Sequence, residues 1–222
     1  MLNRRRSYAL LSLAVSVLPG AGLVMLNYRM LNAARTRPEA NPRSADHGSE
    51  RGARGGIAVL RKAGAPLPAL RNPRVVIVKS AGRLTVHDGQ TPVRAYRVVV
   101  GAVEGDKVRE GDQRTPEGTF YVCLKNPQSR FTLSLGLSYP DIEDAERGLR
   151  DKLITVPQYR AIVRAIRGRR RPPWNTPLGG EIMIHGGGAE RDGTLGCIGM
   201  DDEHIRELYE ALPVGTPVTI RP

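Results

Sequence analysis

Arg74-Val-Val-Ile-Val-Lys79, then Ser80-Ala81-Gly82, then Arg83-Leu-Thr-Val-His-Asp88 running into Gly89: this stretch decides the fold. The first run is β-branched and bounded by Pro73 on one side and a Ser-Ala-Gly turn on the other. The second alternates apolar and polar residues at period two before an Asp-Gly turn. Together they predict a β-hairpin arrangement. Outward from it, Ala95–Val100, Gly118–Leu124, Thr132–Ser134, Glu181–Ile184 and Val218–Ile220 have the short, β-branched or aromatic character of further strands. Two helices are predicted against that background. Pro157–Gly168 puts Tyr159, Ile162, Val163 and Ile166 on one face and arginines on the other. Asp201–Leu212 opens with acidic residues that suit the helix dipole and lines up Ile205, Leu208 and Leu212. The expected fold class is mainly β, a sandwich-like domain with a few helices.

The chain has 222 residues, room for one domain plus appendages. Its 25 glycines and 17 prolines argue against an all-helical bundle. Two cysteines, Cys123 and Cys197, exclude a disulfide framework and a four-thiolate zinc site. The net charge of +12 is uneven: residues 1–70 hold 11 Lys+Arg against 3 Asp+Glu. Most of the basicity therefore lies outside the part that reads as folded. With only 5% aromatics to stack on bases, no nucleic-acid partner is expected.

Arg4-Arg5-Arg6 precede the uncharged, 20-residue stretch Ser7–Leu26, the order found in export signals and signal anchors. Residues 1–26 are accordingly expected to be a signal anchor or signal peptide, making the membrane a partner. The rest of the chain is then expected to be extracytoplasmic, because the positive flank stays inside. Residues 27–70 are expected to be a flexible basic linker: to about Gly56 the chain is rich in Arg, Pro, Ala, Gly and Ser with almost no bulky apolar residue after Leu31, and residues 57–70 are also open to a first strand or a docking segment. Residues 71–222 form the expected folded domain.

The two cysteines sit in different surroundings. Cys123 lies in the strand-like Thr119-Phe-Tyr-Val-Cys-Leu124 and is expected to pack inside the sheet as a small hydrophobe. Cys197 lies in Gly193-Thr-Leu-Gly-Cys-Ile-Gly-Met200, before a predicted helix whose N-terminus would favour a thiolate. His185, twelve positions upstream at the end of a predicted strand, is the candidate proton acceptor. Gly196 allows close backbone approach, so amides near Cys197 are candidate oxyanion donors. Spacing alone leaves a core thiol and a structural histidine equally open.

The order of several blocks is more specific. Gly111-Asp-Gln-Arg-Thr-Pro-Glu-Gly118, Leu135-Gly-Leu-Ser-Tyr-Pro140, Ile184-His-Gly-Gly187, Thr194-Leu-Gly-Cys-Ile198 and Val214-Gly-Thr-Pro-Val218 together resemble the L,D-transpeptidase catalytic domain, also called the YkuD domain. The resemblance runs from about Val75 to Pro222. It implies a cysteine acyltransferase acting on peptidoglycan tetrapeptide stems through a thioester, with no metal or organic cofactor. The alternatives are an L,D-carboxypeptidase or amidase that hydrolyses wall peptides, and a non-catalytic peptidoglycan-binding module. By the same resemblance Cys197 is the nucleophile and His185 the base, and Gly196, Thr194 and Gly186 are oxyanion or substrate-binding positions.

The sequence departs from the family pattern at two places. Many members have a histidine where this chain has Leu195, and an arginine where it has Gly199, features that look more like the YafK-type branch. Arg191 is the nearby candidate to replace that arginine, with a solvated loop arginine the favoured reading. Leu149–Gly180, with Pro172-Pro173-Trp174-Asn175, reads as an insertion beside the site and a candidate lid. Arg169-Arg170-Arg171 reads as a solvated helix end, and His87 and His204 as structural.

Overall fold

The computed structural model describes residues 66–189 and 193–222. The predicted export segment, nearly all of the linker and Arg191 lie outside those residues.

Eight strands form one curled, mixed sheet: β1 (Pro73–Val78), β2 (Arg83–Asp88), β3 (Thr91–Arg97), β4 (Gly118–Asn126), β5 (Ser134–Leu137), β6 (Met183–His185), β7 (Ile198–Gly199) and β8 (Pro217–Arg221). Their order across the sheet is β3-β2-β1-β8-β4-β5-β6-β7. The β1–β2 hairpin is antiparallel, with Val75 opposite Val86 and Ile77 opposite Leu84. Its period-two pattern buries Val75, Ile77, Leu84 and Val86 on one face. The last strand, β8, inserts between β1 and β4, parallel to one and antiparallel to the other. Beyond β3 the chain reaches the far end of the order, where Val99 bridges Gly199 and Gly101 bridges Thr194. The two ends of the sheet therefore meet beside Cys197.

Inside the curl Val75, Ile77, Leu84, Phe120, Leu135, Leu137, Ile184, Ile198 and Val218 pack with α3 (Asp202–Ala211), whose Ile205 and Leu208 face the core. Each such side chain contributes about 1.5–3 kcal/mol on burial. The buried Arg94 of β3 pairs with Glu207 of α3, and the Tyr96 hydroxyl donates to the same carboxylate at 2.8 Å. A smaller cluster joins α1 (Ile142–Arg150) and α2 (Val156–Arg167) through Ala145, Ile162 and Leu178. Thr155 caps α2 and exchanges hydrogen bonds with Gln158.

Differences from the sequence expectations have local causes. The helix α1 was not expected, because its inner face is Ala145 and Gly148 rather than large apolar residues. A Cβ on Gly148 would come within 2.8 Å of Leu178, so the small stripe exists to let the helix approach. An Asp141/Asp144 capping box starts it. The strand expected at Ala95–Val100 begins at Thr91, with Pro92 tolerated because β3 is the terminal strand of the sheet order. The strand expected at Thr132–Ser134 instead runs from Ser134 to Leu137. Cys123 is half-buried at a register shift between Val122 and Leu124, and both cysteines are free thiols. Burial pushes the Cys123 thiol up to about 11, which leaves it a poor nucleophile.

Candidate active site

The chain enters the site on β6, a three-residue strand flanked on one side by β5 and on the other by β7. The parallel β6–β7 register sets Ile184 opposite Ile198 and His185 opposite Gly199. Side chains alternate across a sheet, so Ile184 and Ile198 point into the core. His185, and Cys197 just before β7, share the opposite face as diagonal neighbours. Both open on one cavity of about 920 Å³, whose walls include Lys107, Arg130, Phe131, Trp174, Glu181 and Leu195.

His185 is held on three sides. Its Nδ1 lies 2.6 Å from the carbonyl oxygen of Gly186. A carbonyl can only accept, so Nδ1 carries the hydrogen and Nε2 is the nitrogen able to take a proton. Phe131 stacks on the ring, with centroids 4.4 Å apart and planes 23° apart. The third side is Gly199, where a Cβ would stand 3.7 Å from His185 Cε1 and 2.9 Å from Val99. A side chain at position 199 would thus crowd the Val99 side chain.

Cys197 Sγ donates to the carbonyl of Glu181 at 3.5 Å. Glu181 presents that carbonyl from the left-handed region, φ +55°, which costs a non-glycine residue about 1–3 kcal/mol. Burial pushes the Cys197 thiol up, and the nearby Glu181 carboxylate adds to the effect; the Met183 amide and the charges of Lys107 and Arg130 act in the opposite direction. The sequence reading expects the N-terminus of the following helix to favour the thiolate. The first acids of α3 engage the histidine loop: Gly187 N–H donates to Asp202 at 2.7 Å and Ala189 N–H to Asp201 at 3.1 Å. A protonated thiol at neutral pH needs a base during attack.

The three other expected positions act behind the cavity wall. Gly186 N–H donates to the carbonyls of Phe131 and Leu133, and a Cβ there would lie 2.5 Å from Asp202 and 2.7 Å from the Phe131 carbonyl. The Thr194 hydroxyl donates to the Cys197 carbonyl at 2.7 Å and accepts from Gly196 N–H at 3.1 Å. The Gly196 amide is therefore already engaged. Gly196 itself takes φ +125°, and a Cβ would lie 2.7 Å from the Arg114 carbonyl. The Cys197 amide has no acceptor among the described residues.

Sequence reasoning missed Thr115, which sits inside the Gly111–Gly118 block. Its side chain is 1% exposed. The hydroxyl accepts from Gly101 N–H at 2.8 Å and donates to the Gly196 carbonyl at 3.0 Å, with the Cys197 carbonyl at 3.3 Å. One buried oxygen thus ties the nucleophile loop to the strand-end bridge. Asp112 of the same block gathers the amides of Val108, Arg109 and Arg114 and the Lys107 ammonium. These donors hold its carboxyl below the usual range despite its burial.

Trp174 forms one wall of the cavity. Its indole N–H donates to the Tyr139 carbonyl at 2.9 Å, and its ring fills the space that a Cβ on Gly180 would need, 2.3 Å away. The inserted segment is at this point a packed wall. Arg169 and Arg171 lie over the rings of Tyr121 and Trp174, so the basic run is partly engaged in packing. His204 lies against Tyr96, with ring centroids 5.2 Å apart. Among the described residues no cluster of three His, Cys, Asp or Glu side chains is arranged to hold a metal ion.

The family model for the L,D-transpeptidase catalytic domain, YkuD, matches residues 72–220. Among curated proteins none matches the sequence. Among solved structures, the helical cell shape determining protein Pgp2 from Campylobacter jejuni is similar with a TM-score of 0.46 and 20% identity, over 70% of this chain and 50% of its own. The L,D-transpeptidase from Xylanimonas cellulosilytica gives 0.42 and 16%, over 70% and 64%. L,D-Transpeptidase 1 from Mycobacterium tuberculosis gives 0.40 and 12%, over 68% and 62%. The chain thus spans about half the length of Pgp2 and less than two thirds of the other two. With the family model covering the strands that place Cys197 and His185, and the Gly111–Gly118 block behind them, the chain belongs to the L,D-transpeptidase catalytic domain family.

Proposed function

We propose that the chain is a cysteine-dependent peptidoglycan L,D-transpeptidase that forms a thioester acyl-enzyme on tetrapeptide stems. The observation that carries this reading is one cavity shared by the half-buried Cys197 thiol and an imidazole fixed in the tautomer that can take a proton. His185 Nε2 removes the thiol proton as Cys197 Sγ attacks the carbonyl before the terminal D-amino acid. The Cys197 N–H donates to the oxygen that becomes negative. The intermediate collapses with loss of the D-amino acid, whose amine takes the proton from His185, and leaves a thioester. The side-chain amine of a second stem then displaces sulfur to form a cross-link, with His185 accepting the amine's proton.

Water in place of that amine gives carboxypeptidase activity from the same intermediate. The missing histidine at Leu195 and the glycine at 199 favour the YafK-like branch. Residues 1–26 are proposed to anchor the domain to the membrane, outside the cytoplasm, within reach of its polymer.

Mass spectrometry of muropeptides incubated with the protein tests the reading. Stem dimers are the expected product, and tripeptides alone would replace transfer by hydrolysis. Replacing His185 by Gln is expected to slow product formation by about 10²- to 10⁴-fold in a folded protein. Tetrapeptides recovered intact after incubation with the wild-type chain would overturn the enzyme reading in favour of a binding module.

A further inference from the structure

A tetrapeptide stem ends in a carboxylate, and the proposed reaction brings that group within one residue of the bond that breaks. A carboxylate taken into a half-enclosed cavity needs a cation or several donors, because desolvation is otherwise uncompensated. Among the described residues the charged side chains lining the cavity are Lys107, Glu110, Arg130 and Glu181. Lys107 is committed: 3% exposed, it donates to Asp112 and to the Arg109 carbonyl, both at 2.8 Å. Gly199 cannot supply a cation.

Arg130 remains. It is solvent-exposed and forms no ion pair with any described residue. Its guanidinium lies 4.8 Å from the centre of the Phe131 ring, and the same ring stacks on His185. Arg130 and His185 therefore both contact the Phe131 ring, and all three residues line the cavity. Arg130 and Cys197 line the same cavity. Cation–π contact restrains the side chain while leaving its N–H edge available for a bidentate carboxylate.

We infer that Arg130 binds the terminal carboxylate of the stem peptide and sets the preference for a free C-terminal D-amino acid. The inference rests on the proposed reaction at Cys197. Arg130 takes no part in bond making; it fixes the end of the donor so that the preceding carbonyl lies at the thiol.

The test pairs a substrate change with a residue change. Donor tetrapeptides ending in a carboxylate or in the corresponding primary amide are assayed by release of the terminal residue, with wild type, Arg130→Gln and Arg130→Lys. Loss of a charge-assisted contact corresponds to roughly a 10- to 100-fold fall in kcat/KM. Wild type is expected to show that fall on going from acid to amide, mostly in KM. Arg130→Gln is expected to show it on the acid with little further loss on the amide, and Arg130→Lys to recover part of the acid rate. Arg130→Gln retaining the wild-type preference for acid over amide would overturn the inference while leaving the reaction intact. Failure of wild type to process either peptide would overturn the reaction and the inference with it.

Discussion

Replacing Thr115 by Val keeps the shape of a buried side chain and removes a single oxygen. The consequence follows from its partners. Gly101 N–H loses its acceptor and the Gly196 carbonyl loses its donor, whereas the Cys197 carbonyl keeps Thr194 at 2.7 Å. A buried polar group left without a partner costs about 1–3 kcal/mol, so two such groups amount to roughly 2–6 kcal/mol if the loop keeps its shape. For a domain of this size each kcal/mol lowers Tm by about 2–4 °C. Thr115→Val should therefore melt at least about 4 °C below wild type. If the loop relaxes instead, the stability loss shrinks but Cys197 moves. A displacement on the order of 1 Å near the reacting atoms costs about 10²-fold in rate. Thr115→Ser retains the oxygen and loses one methyl, worth about 1 kcal/mol, and should keep nearly full activity. Thermal melts paired with acylation rates for both variants give the answer. A Thr115→Val protein with wild-type Tm and wild-type acylation would refute the role of that hydroxyl in holding the nucleophile loop.

Glu181→Gln removes a negative charge that helps to raise the Cys197 thiol, so alkylation by iodoacetamide should reach its half-maximal rate at lower pH than in wild type. An unshifted or higher profile would contradict this. Asp112 has a folded-state pKa below its unfolded value. Its contribution is thus present above the unfolded pKa of about 3.9 and lost as pH falls toward the lower folded value. Chemical denaturation between pH 6 and 3 should show a smaller loss for Asp112→Asn than for wild type, the mutant having lost that contribution at all pH values. Gly199→Ala places a Cβ 2.9 Å from Val99, and overpacking of this kind costs about 1–3 kcal/mol. Its urea midpoint should fall, and pairing it with Val99→Ala should restore part of the loss.

The hairpin at Arg74–Asp88 was legible because one face of it is buried, so alternation in the sequence survives as alternation in space. The helix α2 was legible for the same reason at a period of 3.6. The helix α1 was hidden because close packing on Leu178 demanded Ala and Gly, which leave no apolar periodicity to find. At two residues, β7 is too short to show any period, and only its pairing with β6 and Val99 defines it. Of the candidate site, Cys197 and His185 stood out through the glycines around them. What those glycines do was not legible: Gly186 and Gly196 make room for Asp202, Phe131 and Arg114, residues distant in sequence. Thr115 was invisible as a functional position for a similar reason, since its hydroxyl acts across an interval of 81 residues. The raised thiol reflects burial, which no local motif encodes.

The central claim is that Cys197 carries the acyl group during turnover. Its most direct measurement is to mix the protein with a tetrapeptide stem, quench in acid within one turnover, and locate any covalent adduct by peptide mass spectrometry. The account predicts an added tripeptide acyl group on the Cys197 peptide and none on the Cys123 peptide, with no adduct at position 197 and no turnover in Cys197→Ser. Release of the terminal residue by Cys197→Ser at the wild-type rate, or an adduct confined to another residue, would contradict it.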